Sequence, residues 1–264
     1  ITALTPSVDR LLISSIGGAA DQFSISMVGH PVGMIYAIRT AGVDPQSGRR
    51  IFLDQSGRKV LYTQVAASGG YNWEYEDGTQ APAITAANDG VAYKRANPKL
   101  YGGFSTKLRY KQFDLDVLMT FQAGGYMYYG TQGTLMDGRF ANNSTMILRR
   151  WQKPGDITDV PRLMDGDFTS WGYSMPVTCN VYSSDFLRMK NIIIGYNFSP
   201  RLLRSTPISG IRAYAGVQNA FILTPYPGAD PEVTSDGNGT ATQGFDRNMN
   251  PNARIVSMGL QVNF

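Results

Sequence analysis

The sequence predicts an all-β fold, namely an antiparallel transmembrane β-barrel to which this chain contributes C-terminal strands and long extracellular loops. Three observations favour this fold. Apolar and polar residues alternate along five segments, which indicates strands with one apolar and one polar face. Short and long connections follow each other along the chain, and the chain ends on an aromatic residue, Phe264.

The last alternating segment is the sharpest. Its apolar residues are Val256, Met258, Leu260, Val262 and Phe264, and small or polar residues lie between them. Termini of soluble proteins tend to fray, whereas an ordered apolar strand ending on an aromatic residue is typical of outer-membrane barrels. We therefore interpret Leu260, Val262 and Phe264 as the signal that the barrel-assembly machinery reads.

A hairpin is predicted from residues 100–110 and 113–122, joined by a turn at 111–112. This register places apolar residues opposite each other on one face. On the other face it places Arg109 opposite Asp114 and Lys107 opposite Asp116, as stabilising cross-strand pairs require. Periodicity alone leaves a soluble sandwich and a membrane barrel open, because both folds have one apolar and one polar face.

Two more strands are predicted at 186–198 and 211–223. In the first of them the apolar phase changes near Asn191, which indicates a β-bulge or a strand that continues outside the membrane. The connections at 111–112 and 199–210 are short, and those at roughly 123–185 and 224–253 are long. Short periplasmic turns and long extracellular loops are typical of membrane barrels.

The first 97 residues show weak alternation. Apart from a candidate strand near Met34–Thr40, small-residue runs such as 17–20 and 86–90 interrupt the pattern. Such a long stretch between membrane strands fits a large extracellular loop. We therefore expect residues 1–97 to be mostly an extracellular loop region and residues 98–264 to hold the transmembrane strands and loops of the same barrel.

Composition excludes several classes of protein. The net charge of +4 is small, and the basic residues are scattered, so nucleic acid is not an expected partner. Cys179 and His30 are the only residues of their types, so neither an intrachain disulfide nor a CxxC metal motif can form. No nucleophile motif lies near His30, and no acid pair has catalytic spacing. We therefore expect no enzyme activity, no cofactor and no metal site.

Short motifs follow one another in the second part of the chain. They are NPKLYGGF at 97–104, FDL at 113–115, RW at 150–151, DVPRL at 159–163, DFLRMKN at 185–191, RAY at 212–214, QNAF at 218–221 and YPGADPEV at 226–233. In this order they resemble the C-terminal barrel portion of the SusC/RagA family of TonB-linked outer-membrane transporters. Before residue 97 the resemblance is thin. Members of the family often have a calcium-binding loop sequence near the position of Asp54, but its acidic positions are missing in this chain. The stretch 236–239 also resembles a calcium-binding loop, and we interpret it as a polar turn.

The resemblance implies an importer whose barrel of roughly 22 strands holds a plug. The plug is absent from this sequence, so we expect the remainder of the transporter to be another polypeptide, as if one protein had been cut near Ile1. A SusD-like lipoprotein lid, TonB acting through the plug, outer-membrane lipid and oligopeptide or oligosaccharide substrates are the implied partners, with oligopeptides favoured. The implied location is the outer membrane of a Gram-negative bacterium of the Bacteroidetes. A structural or adhesive surface β-domain is the alternative.

The resemblance also suggests roles for individual side chains. The charged residues Lys107, Arg109, Asp114 and Asp116 would face the lumen and contact substrate or plug, or serve only as a structural charge ladder. Among the loop aromatics, Tyr126, Tyr128 and Tyr129 are expected to stack on substrate or to form the aromatic girdle at the outer interface, with the girdle favoured. Trp151 and Trp171 are expected to pack against the lid or against neighbouring loops.

Overall fold

The fold was determined as a computed structural model, which describes residues 10–13, 23–65, 70–139, 142–235 and 243–264. The small-residue run at 17–20, the polar turn at 236–239 and the expected cut near Ile1 therefore lie outside the described residues. In the described ranges, no helix is both long enough and apolar enough to cross a membrane.

Strands dominate the described part of the chain. The strands are β1 (Arg10–Ile13), β2 (Ser24–Met27), β3 (Met34–Ile38), β4 (Thr40–Val43), β5 (Arg50–Leu53), β6 (Lys59–Val65), β7 (Gly70–Tyr75), β8 (Gly90–Arg95), β9 (Leu100–Tyr110), β10 (Phe113–Ala123), β11 (Tyr126–Tyr129), β12 (Val181–Ser183), β13 (Phe186–Asn197), β14 (Gly210–Leu223), β15 (Phe245–Asp246) and β16 (Ile255–Asn263). Three short helices accompany them, namely α1 (Ala86–Asp89), α2 (Gly130–Leu135) and α3 (Pro200–Leu203). Thr145–Arg149 and Thr178–Asn180 form 3-10 turns.

The chain divides into two compact units. The first consists of residues 1–97, 126–183 and 233–249, and the second consists of residues 98–125, 184–232 and 250–264. The second unit therefore contains the five alternating strands that the sequence predicts. The first unit contains the long connections and most of the region that shows weak alternation.

The first unit holds three small sheets. Their strand orders are β1-β2-β3-β8, β4-β5-β6-β7 and β12-β11-β15, and all neighbours are antiparallel except β11 and β15. The single candidate strand near Met34–Thr40 is in fact two strands, β3 and β4, which belong to different sheets. Residues up to 97 thus contain more strands than their alternation indicates.

Aromatic rings build the largest core cluster of the first unit. Phe52 lies 5.2 Å from Trp73 and 6.3 Å from Tyr62 between ring centroids, and both contacts are edge-on. Val177, from the loop before β12, is fully buried in the same cluster. The backbone N–H of Ile38 donates to the carbonyl of Pro176 at 2.8 Å, which ties that loop to β3.

The second unit is one antiparallel sheet with the order β16-β14-β13-β10-β9. The predicted hairpin register is confirmed, because Leu108 lies opposite Leu115, Arg109 opposite Asp114 and Lys107 opposite Asp116. The turn between β9 and β10 has two residues, as predicted. Its first residue, Lys111, adopts a φ of 54°, a left-handed conformation that few residues other than glycine adopt.

The predicted irregularity near Asn191 is a β-bulge. Consecutive residues of β10, Leu118 and Met119, pair with Asn191 and Met189, so Lys190 is the extra residue against β10. Against β14, two residues, Asn219 and Ala220, lie opposite Lys190. This insertion explains why Met189 and Ile192 lie on the same apolar face although they are three positions apart. Asn219 of β14 has a φ of 50° at the matching point, which accounts for the break in alternation there.

One face of this sheet is apolar on all five strands. Rows such as Thr106, Val117, Ile192, Val217 and Val256 run across it in register. The apolar side chains of this face are exposed or half-buried and do not form a core, and Met258 is 82% exposed. A polar solvent does not favour such a face, whereas a lipid environment does. Phe264 follows the end of β16 and is exposed, beside Leu260 and Val262, which point to the apolar face.

Candidate functional site

The polar face of the five-stranded sheet carries the charged residues that the sequence singles out. Because side chains alternate along a strand, Lys107 and Arg109 of β9 share this face with Asp114 and Asp116 of β10. The Nζ of Lys107 lies 3.2 Å from Oδ2 of Asp116. The structure thus brings all four residues together in one part of the sheet.

Asp114 makes its ion pair with a residue that sequence reasoning missed. Arg212 of β14 reaches across β13 and donates from Nε and Nη2 to the two carboxylate oxygens of Asp114, at 3.1 and 2.5 Å. Asn197 adds a hydrogen bond from Nδ2 to Oδ1 at 2.7 Å. Gly195 lies between them, and a Cβ there would be 2.5 Å from both Arg212 and Asp114. The glycine therefore leaves the space in which this ion pair forms.

Arg109 has a different environment from its neighbours. It lies opposite Asp114, but the oxygens of that carboxylate are held by Arg212 and Asn197. Within the described ranges Arg109 forms no ion pair of its own. A cavity of about 600 Å³ opens here, and its lining includes Arg109, Arg212 and Tyr214. The guanidinium of Arg109 can thus donate a bidentate pair of hydrogen bonds to a carboxylate from outside the sheet.

The loop aromatics are less accessible than the sequence suggests. Tyr128 is only 2% exposed, and its ring stacks on Phe245 with 5.7 Å between centroids. Burial raises the pKa of Tyr128 far above its ordinary value, so the side chain stays neutral. Among the described residues the side chain of Tyr128 belongs to a core cluster with Phe23 and Phe245, and its contact with substrate stays a prediction. Tyr126 and Tyr129 are half-buried on the same strand.

The two tryptophans of the long connection differ from each other. Trp171 is 5% exposed and packs beneath the guanidinium of Arg50, whose Cζ lies 4.8 Å from the ring centroid. The ring is covered inside the first unit by Met136 and Val160, and its packing against the lid stays a prediction. Trp151 is half-buried, and its Nε1 donates to the carbonyl of Pro45 at 2.8 Å. Trp151 thus contacts the loop that contains Pro45, whereas Trp171 contacts Arg50 of β5.

The position of Trp151 gives a first testable prediction. The Trp151 ring lies on Gly48, where an added Cβ would be 2.4 Å from ring atoms and where φ is 69°. We expect Gly48→Ala to destabilise the first unit by at least the ~1–2 kcal/mol that a left-handed backbone costs a non-glycine residue. Thermal unfolding followed by near-ultraviolet circular dichroism measures the effect. Gly57→Ala is the matched control, because φ is 83° there and nothing lies within 4 Å; an equal loss in both variants would contradict the role of Trp151.

A second feature that sequence reasoning missed is a buried ion network in the second unit. Arg188 of β13 is 3% exposed, and its Nη2 lies 2.5 Å from Oδ1 of Asp230, which is 2% exposed. The Nε of Arg188 lies 2.5 Å from Oε2 of Glu232. Oδ2 of Asp230 also accepts hydrogen bonds from the backbone N–H and Nδ2 of Asn252 at 3.0 and 2.9 Å. The network therefore joins a strand of the sheet to the loop between β14 and β16.

The first unit has an aromatic cavity of its own. It measures about 330 Å³, and its lining includes Tyr62, Trp73, Phe168 and Met175. The hydroxyls of Thr169 and Ser174 lie 3.3 Å apart at its wall. Its residues come from β6, β7, residues 83–86 at the start of α1 and the 168–175 loop, so no local sequence pattern could have joined them.

Known proteins resemble this chain over most of its length. No protein-family model matches it. The chain is 33% identical over 173 residues to the TonB-dependent receptor P3 of Formosa agariphila, which covers 63% of the chain and 16% of the relative. It is 28% identical over 184 residues to the TonB-dependent receptor SusC of Bacteroides thetaiotaomicron, which covers 67% of the chain and again 16% of the relative.

The fold also matches a solved structure described as the RagAB peptide transporter. The TM-score is 0.72 at 23% identity, over 99% of this chain and 25% of that chain. This match confirms the predicted all-β, antiparallel barrel class. The chain thus spans about one sixth of the length of the curated relatives it matches. The printed names of these proteins describe receptors and a transporter, and none describes an enzyme.

Proposed function

Because the chain is a SusC/RagA-like TonB-dependent transporter segment, we propose that it forms wall strands and extracellular loops of an outer-membrane importer for oligopeptides or oligosaccharides. The observation that carries this proposal is the five-stranded sheet, with an exposed apolar face and a charged opposite face. An apolar face turned to lipid and a polar face turned to a wet lumen is the arrangement of a transport barrel.

The two edge strands of the sheet indicate that further strands complete the barrel. Within the described ranges, β9 and β16 each have one hydrogen-bonded neighbour and one open side. In lipid such an edge would leave backbone N–H and C=O groups without partners, at a cost of several kcal/mol each. We infer that strands from the remainder of the same transporter pair with both edges and that the plug lies inside the closed barrel.

The first unit fits the extracellular side. Its residues occur in the long connections of the sheet, and membrane barrels place long connections outside the cell. We propose that residues 1–97, together with the other segments of this unit, form the extracellular loops on which a SusD-like lipoprotein docks. TonB would act through the plug. The two organisms named above favour a location in the outer membrane of the Bacteroidetes.

Oligopeptides are the favoured substrate class. The part of the polar face around Asp114 carries three cations, Lys107, Arg109 and Arg212, against the two carboxylates Asp114 and Asp116, and Arg109 remains available for an external anion. A peptide has a terminal carboxylate that such a guanidinium recognises, whereas a neutral glycan has none. The solved structure with the same fold is that of a peptide transporter, which agrees with this preference.

Uptake by whole cells tests the function. A strain that lacks the complete transporter and a strain in which it is restored are given defined mixtures of oligopeptides and neutral oligosaccharides. We expect the restored strain alone to deplete oligopeptides from the medium, and only while TonB is present. Depletion of oligosaccharides alone would move the assignment to glycans. Equal depletion by both strains would contradict import and favour an adhesive or structural domain.

Arg109 gives a sharper prediction for substrate contact. We expect Arg109→Gln to lower uptake of a peptide with a free terminal carboxylate by a factor of about 10 to 100, since a hydrogen bond to a charged group contributes roughly 1.5–3 kcal/mol. Uptake of the same peptide with an amidated terminus should change little. Lys107→Gln is the matched control, because Lys107 is paired with Asp116. An equal loss for both forms of the peptide would indicate that Arg109 has a structural role only.

A further inference from the structure

An aromatic row marks one end of the sheet. Tyr110, Phe113, Tyr196 and Phe198 lie at the ends of β9, β10 and β13 that meet the two short turns. Phe113 and Tyr196 are 5.0 Å apart between ring centroids, and Tyr196 and Phe198 are 5.1 Å apart. Aromatic residues form girdles at the two interfaces of a membrane barrel. This row therefore places the boundary of the apolar layer at the short turns.

The turns beyond this row are positively charged. Residues 111–112 and 199–209 contain Lys111, Arg201 and Arg204 and no aspartate or glutamate. All three cations are exposed, and none forms an ion pair with another described residue. The Nζ of Lys111 lies 5.2 Å from the centroid of Tyr110, so this charge is held at the level of the aromatic row.

The two turns form one surface. The backbone N–H of Asn197 donates to the carbonyl of Gln112 at 2.8 Å, which holds the start of the second turn against the first. A cavity of about 450 Å³ beside the turns is lined by Lys111 and also by Arg109, Arg212 and Gln261, so it opens on the polar face of the sheet and is not the lipid-facing surface. The hydrogen bond between the two turns, and not this cavity, brings Lys111 near the turn that carries Arg201 and Arg204.

An exposed apolar side chain lies within the charged turn. Leu202 of α3 is 69% exposed and is flanked in sequence by Arg201 and Arg204. A leucine beside arginines at the membrane boundary has the chemistry of an interfacial anchor, because the leucine can enter the acyl layer while the arginines meet headgroups. An aqueous environment alone does not explain an exposed leucine between two arginines.

We propose that the two short turns bind the headgroup of an anionic phospholipid, with Lys111, Arg201 and Arg204 as its cationic contacts. The positive charge of the turns, which has no carboxylate partner among the described residues, complements the negative phosphodiester of a headgroup. The aromatic row places that charge at the depth of the headgroups. Each basic residue near a membrane surface adds to the attraction for anionic lipids. An acidic protein segment would need the same charge, but it would not need Leu202 or the aromatic row.

Native mass spectrometry of the complete transporter tests this proposal. The protein is equilibrated with equal amounts of phosphatidylglycerol and phosphatidylethanolamine, and retained lipids are counted. We expect the wild type to retain phosphatidylglycerol preferentially and K111N/R201Q/R204Q to lose this preference, by about fivefold for each cation removed. Asparagine is chosen at Lys111 because it tolerates the positive φ there. An unchanged lipid ratio would overturn the proposal and leave an acidic protein segment as the partner.

A matched control removes the same charge elsewhere. The variant R58Q/K59Q/K153N changes three exposed cations of the first unit. We expect it to retain the wild-type lipid preference, and an equal loss in both triple variants would show that net charge alone is responsible. Heat-modifiable gel mobility checks that each barrel is folded. If the triple variant does not fold, the single variants R201Q and R204Q give the same test, each with a smaller expected loss.

Discussion

Replacing Asp230 with alanine is expected to lower the stability of the complete transporter by roughly 3–5 kcal/mol, the usual effect of removing one partner of a buried ion pair. Arg188 would then be buried without the carboxylate that lies 2.5 Å from it. The backbone N–H groups of Glu232 and Asn252 would also lose their acceptor. The measurement is the temperature at which the heat-modifiable gel shift disappears.

Two further variants separate the network from general loop damage. Glu232→Ala removes the partly exposed carboxylate of the network, so we expect a clearly smaller loss. Arg188→Met combined with Asp230→Leu removes both buried charges and should recover much of the stability, since hydrophobic replacement of a whole pair is often neutral. If Asp230→Ala and Glu232→Ala unfold at the same temperature, the network does not hold the loop.

The same network predicts a pH dependence. Burial raises the pKa of Asp230, but the hydrogen bonds from Glu232 and Asn252 and the charge of Arg188 outweigh it, so the pKa lies below its ordinary value of 3.8. A lowered pKa in the folded state means that the ionised carboxylate stabilises the fold. This contribution is complete above about pH 4 and is lost as the pH falls through the lowered pKa. The difference in unfolding temperature between the wild type and Asp230→Asn should shrink accordingly on acidification.

Replacing Val217 with arginine is expected to destabilise the barrel by roughly 2–4 kcal/mol, the effect of a cation on the lipid face at the middle of a bilayer. Val217 lies halfway along β14, in register with Ile192 and Val256 on the apolar face. Gln218→Arg is the matched control one residue later, because Gln218 points to the polar face. Urea unfolding in lipid vesicles measures both variants. Equal destabilisation would contradict the assignment of the two faces.

The wall strands could be predicted because two signals agree. Period-two alternation identifies the strands, and the charge pairs select the register, since a one-residue slip between β9 and β10 would move Lys107 and Arg109 to positions opposite apolar residues. The bulge at Lys190 was equally visible, because an extra residue changes the apolar phase. Each of these features depends on neighbours that are close in sequence.

The first unit could not be predicted in the same way. Its strands are short, and all five residues of β3 are buried. Because both faces of such a strand require apolar or paired side chains, apolar and polar residues do not alternate along it. The burial of Tyr128 depends on contacts with Gly172 and Asn180, which are distant in sequence. Local patterns carry no information about such contacts.

The ion pair between Arg212 and Asp114 is an intermediate case. Both residues occupy the polar phase of their strands, but β13 lies between them, and their meeting requires that the intervening residue have no side chain. Gly195 meets this requirement, as its place in the register shows. A search for glycines on the polar phase of a central strand would have found the pair.

Spin labels along β16 test most directly whether this sheet is a membrane wall. In the complete transporter with Cys179→Ser, labels are placed singly at Ser257, Met258, Leu260 and Gln261, and collisions with oxygen and with an aqueous nickel complex are measured in lipid vesicles. We expect labels at 258 and 260 to meet oxygen and labels at 257 and 261 to meet nickel, because alternate residues of β16 face lipid and lumen. Nickel access at all four positions, or the reverse alternation, would contradict the membrane wall.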